Sequence, residues 1–180
     1  MATDDFYDEI QRIAERYPVR RSAIMPALHL AQRKYGWLPP EAFEEVADAL
    51  ELTRAYCEAV ASFYDMYHLE PVGRHMIEVC TNISCGLVGA QQTLEAFERE
   101  LGVAAGETTE DGEFTLRTSE CLGGCGWAPV VAVDHRYREP VTPEEAARIV
   151  AELRAPPQED GGRNRQATSS PPPGAEAGRQ

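Results

Sequence analysis

Four of the five cysteines fall in two pairs. In VCTNISCGLVGA four residues separate Cys80 from Cys85, and in ECLGGCGWAP three residues separate Cys121 from Cys125. Paired thiols of this kind serve as disulfides, redox couples or metal ligands. An odd total of five cysteines and a reducing compartment argue against disulfides. Thioredoxin-type exchange uses two cysteines separated by two residues, and the chain has no such pair. Metal ligation remains, in two forms. Zinc takes four thiolates in one tight tetrahedron. A [2Fe–2S] rhomb takes two thiolates on each iron, around a wider core. Gaps of four and three favour the wider core, with four-cysteine zinc as the alternative.

Glycines crowd these cysteines. Gly86 follows Cys85, while Gly123, Gly124 and Gly126 surround the second pair. Glycine lets peptide N–H groups approach a sulfur and donate to it. Turn geometry alone would also ask for glycine here, and the two reasons are compatible.

The surrounding elements must bring the pairs together. Residues 1–70 read as a helical bundle. Phe6, Ile10, Ile13 and Tyr17 form one apolar stripe, and Ser22 is placed to cap a helix that ends at Gly36. A third helix follows Pro39 and Pro40, burying Phe43, Val46, Ala47 and Leu50, and Thr53 caps a fourth. In residues 71–154 the pattern changes. HMIEVC, FTLRTS and PVVAV are short strands, with a further short strand near Tyr137. A helix from Ala90 to Leu101 joins the first two strands, and Thr142 caps a last helix through Leu153. A helical crossover makes the first two strands parallel. Both cysteine loops, each following a strand, then leave the sheet at one edge. The fold class expected is α+β: a helical bundle followed by a thioredoxin-like α/β domain.

Residues 155–180 hold five prolines and four glycines and read as a disordered tail. The 17 basic and 30 acidic residues leave a formal charge of −13, all of it on the first 154 residues. So acidic a body disfavours nucleic acid and anionic lipid as partners. The start, MATDDFYDEI, is acidic where a secretory signal is basic and then apolar, and no apolar run is long enough to span a bilayer. A cytoplasmic location is expected. Cys57 reads as a buried structural thiol, and His29, His68, His75 and His135 as scattered. No Rossmann or P-loop glycine pattern is present.

With these residues in view, the chain resembles the thioredoxin-like [2Fe–2S] subunit of bacterial respiratory complex I, the NADH:quinone oxidoreductase. Related subunits occur in NAD-dependent formate dehydrogenases and NAD-reducing hydrogenases. The resemblance runs from Tyr17 to Leu153 through IMPALHLAQRKYGWLP, VASFYDMY, PVGRHMIEVCTNISC, GETTEDGEFTL and ECLGGCGWAPV. It implies that Cys80, Cys85, Cys121 and Cys125 bind one [2Fe–2S] cluster that exchanges single electrons with FMN. It places NADH and FMN on a neighbouring flavoprotein subunit, beside larger iron–sulfur subunits, at the inner face of the cell membrane. No catalytic residues are implied on this chain. Its parent complex stays open among the three. A zinc-stabilised interaction module and an independent soluble ferredoxin are the other readings, the second disfavoured by the helical region. Val60, Phe63, Tyr64, Met66 and Tyr67 of VASFYDMY are expected in the core or at the seam between the two regions, a partner-facing role for some of them being the minority reading.

Overall fold

The computed structural model describes residues 2–155, so the expected tail lies outside the described residues beyond Ala155. Helix α1 (Ala2–Ala14) turns Ile10 fully inward, with Phe6 and Ile13 at the margin of the same core. It stops before Tyr17, which is left on the surface. A 3-10 turn at Arg20–Ala23 runs directly into α2 (Ile24–Tyr35). Ser22 therefore does not cap this helix. Ala23 holds the cap position without a side-chain bond, and the Ile24 N–H is satisfied by the Arg21 carbonyl. Gly36 ends α2 in the left-handed region. Helix α3 (Pro40–Leu50) starts at a proline whose missing N–H costs nothing there. In α4 (Arg54–Phe63), the Thr53 hydroxyl accepts from Tyr56 N at 3.3 Å. The four helices enclose a core of Ile10, Leu28, Leu38, Val46, Leu50 and Cys57. At about 1.5–3 kcal/mol for each large apolar side chain removed from water, this core holds the helices together.

The second region is built on strand β1 (His75–Cys80), every residue of which after His75 is buried. Beyond it, α5 (Ile83–Leu87) and α6 (Ala90–Leu101) lead to β2 (Phe114–Ser119). β1 and β2 pair in parallel, from His75 against Phe114 to Cys80 against Ser119. Strand β3 (Val131–Val133) pairs antiparallel with the other side of β1, and β4 (Arg136–Arg138) closes the order β2-β1-β3-β4. The β3–β4 turn has two residues, Asp134 and His135, both at positive φ, the geometry that matches strand twist in a tight hairpin. Helix α7 (Pro143–Arg154) begins with a reciprocal capping box between Thr142 and Glu145. One sheet face, with Ile77, Val79, Phe114 and Leu116, packs on Leu94 and Phe97 of α6 and on Ile149 and Val150 of α7. On the other face, buried Glu78 pairs with Arg117, whose guanidinium also donates to the Asp65 carbonyl, two residues beyond α4. The α+β class and thioredoxin-like sheet follow the sequence pattern.

Candidate metal centre

The parallel register decides where the cysteine loops start. Cys80 is the last residue of β1 and faces Ser119, the last of β2. Both loops thus rise from the same edge at the same level. Thr81 N bonds the Ser119 carbonyl at 3.0 Å, continuing the pairing into the loop. Cys85 does not lie in an open loop, as its sequence surroundings suggest. It sits on the one-and-a-half turns of α5, where Gly86 N reaches back to the Asn82 carbonyl at 2.7 Å. Cys125 opens a 3-10 turn ending at Trp127.

All five cysteines are thiols. Cys80 and Cys85 are buried, Cys121 and Cys125 exposed. The Cys80 and Cys85 side chains meet in a small apolar pocket formed with Ala90 and Val130 and flanked by Leu122 and Ala128. Burial opposes ionisation of Cys80, yet N–H donation from Leu122 and Asn82 and a bond from Cys85 outweigh it and lower its pKa. Burial raises the pKa of Cys85, and the neighbouring Cys80 and Cys125 add to this, against one peptide donor, Val130. Gly123 N donates to Cys121 Sγ at 3.4 Å. Cys85 thus lies close enough to both Cys80 and Cys125 to feel them, while Cys121 and Cys125 are both on the exposed side. Among the described residues no three His, Cys, Asp or Glu side chains are close enough to grip a single metal ion.

Two of the four glycines have a steric reason. Gly123 has φ +79°, and a Cβ on Gly124 would lie 2.9 Å from Val130 Cγ2. Gly126 and Gly86 have room for a side chain, so close approach does not explain them. The donor set fits an iron–sulfur group. Four thiols stand on the two segments that follow β1 and β2, Cys80 at the very end of β1, and peptide N–H groups point at three of the sulfurs, offsetting the negative charge that such a group carries.

A family model described as "Thioredoxin-like [2Fe-2S] ferredoxin" matches residues 10–154. The chain belongs to this family. Among its relatives, an NADH-quinone oxidoreductase subunit of Rhizobium meliloti (strain 1021) is 47% identical over 146 residues, covering 81% of this chain and 85% of that protein. The NADH-quinone oxidoreductase subunit of the same type from Mycobacterium tuberculosis (strain ATCC 25618 / H37Rv) is 42% identical over 147 residues, or 82% of this chain. The chain spans only 58% of that protein's length. The crystal structure of an air-oxidised NAD+-reducing [NiFe]-hydrogenase shares the fold with TM-score 0.64 and 18% identity. The match covers 71% of this chain and 22% of that one.

Other residues fall differently from their sequence reading. Phe63, the last residue of α4, is 80% exposed, and Tyr64 lies at the surface with its ring edge-on to Tyr67. Val60, Met66 and Tyr67 do pack on the helical core. Cys57 is buried there as expected. The histidines are less scattered than their spacing suggests. His29, His68 and His135 line a cleft of about 600 Å³ between the helical region and the sheet. Burial, then Arg33 and His135, lower the His29 pKa; burial, then Arg117 and His135, lower that of His68. His75 instead pairs with Asp134 at 2.8 Å. Nothing in the sequence signals this cleft, since its histidines come from three distant segments.

Proposed function

We propose that the chain is the electron-transfer subunit of an NADH:quinone oxidoreductase, with one [2Fe–2S] cluster held by Cys80, Cys85, Cys121 and Cys125. The observation carrying this reading is the shared exit of the two cysteine loops from parallel strands, in a chain 47% identical to a protein named as an NADH-quinone oxidoreductase subunit. When bound, the cluster supplies a one-electron donor and acceptor. The chain's own residues hold and tune it. Cys80 and Cys85 would supply the buried ligands, and Cys121 with Cys125 the outer ones. The N–H groups of Leu122, Asn82, Val130 and Gly123 offset charge at the sulfurs.

The outer side of the site is apolar. Ile83, Leu87 and Val88 stand exposed around Cys85, and Trp127, two residues from Cys125, is 64% exposed. Such a rim suits a protein partner better than water. The partner proposed is a flavoprotein subunit that binds NADH and FMN, with larger iron–sulfur subunits beyond it. This chain would supply no catalytic residue. No helix among the described residues is long and apolar enough to cross a membrane. Peripheral attachment to the inner membrane face, through the complex, is the location proposed. The helical region (1–70) and the sheet region (71–154) are proposed as two domains, one core each. Relatives at 42–47% identity favour the quinone-linked parent over a hydrogenase or formate dehydrogenase.

Anaerobic purification of the full chain from its native host tests the proposal. The result expected is equal iron and acid-labile sulfide, a reduced-state EPR signal and a co-purifying flavoprotein. A colourless chain with one zinc and no sulfide would overturn it.

A further inference from the structure

One peptide group in the second cysteine loop is hydrogen-bonded at both ends. The Tyr137 hydroxyl, on the outer strand β4, donates to the Leu122 carbonyl oxygen. That carbonyl shares its peptide plane with the N–H of Gly123, which donates to Cys121 Sγ at 3.4 Å. The chain of contacts runs from the phenol through a single peptide to the sulfur. Donation to a peptide carbonyl polarises the group and makes its N–H the stronger donor. Gly123, at φ +79°, occupies a backbone conformation that residues with a Cβ rarely adopt. The N–H of Leu122 meanwhile points at Cys80, so the hydroxyl that fixes Leu122 steadies donors to two sulfurs.

We infer that Tyr137 is a positioning residue for the metal centre: through the Leu122–Gly123 peptide it strengthens the hydrogen bond to Cys121 and favours the reduced, more negative state. The inference rests on the proposed role of Cys121 as a cluster ligand. Hydrogen bonds to the sulfurs are among the factors that set iron–sulfur potentials, and this one is governed from a strand that carries no cysteine. Tyr137 is half exposed, so water replaces part of the lost hydroxyl and the effect is moderate.

The test uses the full chain loaded with iron and sulfide, titrated potentiometrically with EPR detection. Y137F keeps the ring and removes the donor. Its reduced-to-oxidised ratio at fixed potential falls about threefold, equivalent to about 30 mV for a one-electron couple. The deuterium-exchange shift of its iron–thiolate stretch also shrinks. Site-specific 3-fluorotyrosine at position 137, a stronger donor near neutral pH, moves the potential the opposite way. Should Y137F fail to load, the fluorinated protein alone decides. An unchanged potential in whichever of these proteins load would overturn the inference. A wild-type chain that binds no cluster, or a C121S chain with an unaltered spectrum, would instead overturn the ligand assignment beneath it.

Discussion

Cys57 in the helical core and Cys80 at the end of β1 are both cut off from solvent, yet their thiols are pushed in opposite directions. Cys57 is driven up to about 11, by burial first and the Glu58 charge second. Cys80 is lowered although burial opposes it, because peptide donors and Cys85 face its sulfur. A helix spends its backbone N–H groups internally and has none to aim at a side chain in its middle. A strand that ends in a loop frees them. A thiolate is thus favoured where peptide donors face the sulfur, and burial alone opposes it.

Removing sulfurs tests this contrast with the largest effect. Replacing Cys80, Cys85, Cys121 or Cys125 by serine is expected to abolish stable iron and sulfide binding, measured by metal and sulfide analysis. Cys57→Ala should leave both contents unchanged and cost about 1 kcal/mol of stability. Retention of wild-type iron in all four serine variants would break the contrast.

The join between the regions comes next. Arg117 holds buried Glu78 through Nε at 2.9 Å and the Asp65 carbonyl at 3.2 Å. Arg117→Ala leaves a carboxylate buried without its partner, a change worth roughly 3 kcal/mol. Urea unfolding followed at Trp37 and Trp127, one tryptophan in each region, reads this directly. The Trp127 transition should shift most; equal shifts at both probes would mean the two cores melt as one unit.

Alkaline pH gives the smallest effect. The Cys57 pKa is raised from 9.0 to about 11 in the fold, so the neutral thiol is the form that folding favours. Its contribution is whole below about pH 9 and is lost as pH climbs towards 11. Wild-type stability should therefore fall by about 2 kcal/mol more than that of Cys57→Ala across this range. Parallel curves for the two proteins would remove the burial half of the comparison.

Much of this architecture was legible in the sequence because its signals are local. Alternation marks β1, a helical segment ended by Gly102 marks α6, and Thr53 and Thr142 cap as their positions suggest. Spacing singled out the paired cysteines. What escaped depended on chain direction or on distant segments. Helix α5 is too short for a periodic stripe to mark it. Ser22 looked like a cap, but the preceding 3-10 turn supplies the missing acceptor instead. Phe63 carried a core composition, yet it stands exposed at the end of α4. The Tyr137–Leu122 contact joins residues 15 apart across two elements, and no spacing rule reaches it.

The crossover between β1 and β2 also sets an order of events during biosynthesis. A nascent chain that has emerged only as far as α6 presents two of the thiols, with no opposite loop to complete a cage. With the proposed ligand set, iron loading would await β2 zipping onto β1 and synthesis through Cys125. Under that proposal cofactor insertion is a checkpoint on topology: a chain stalled or misthreaded before the two strands pair would stay colourless.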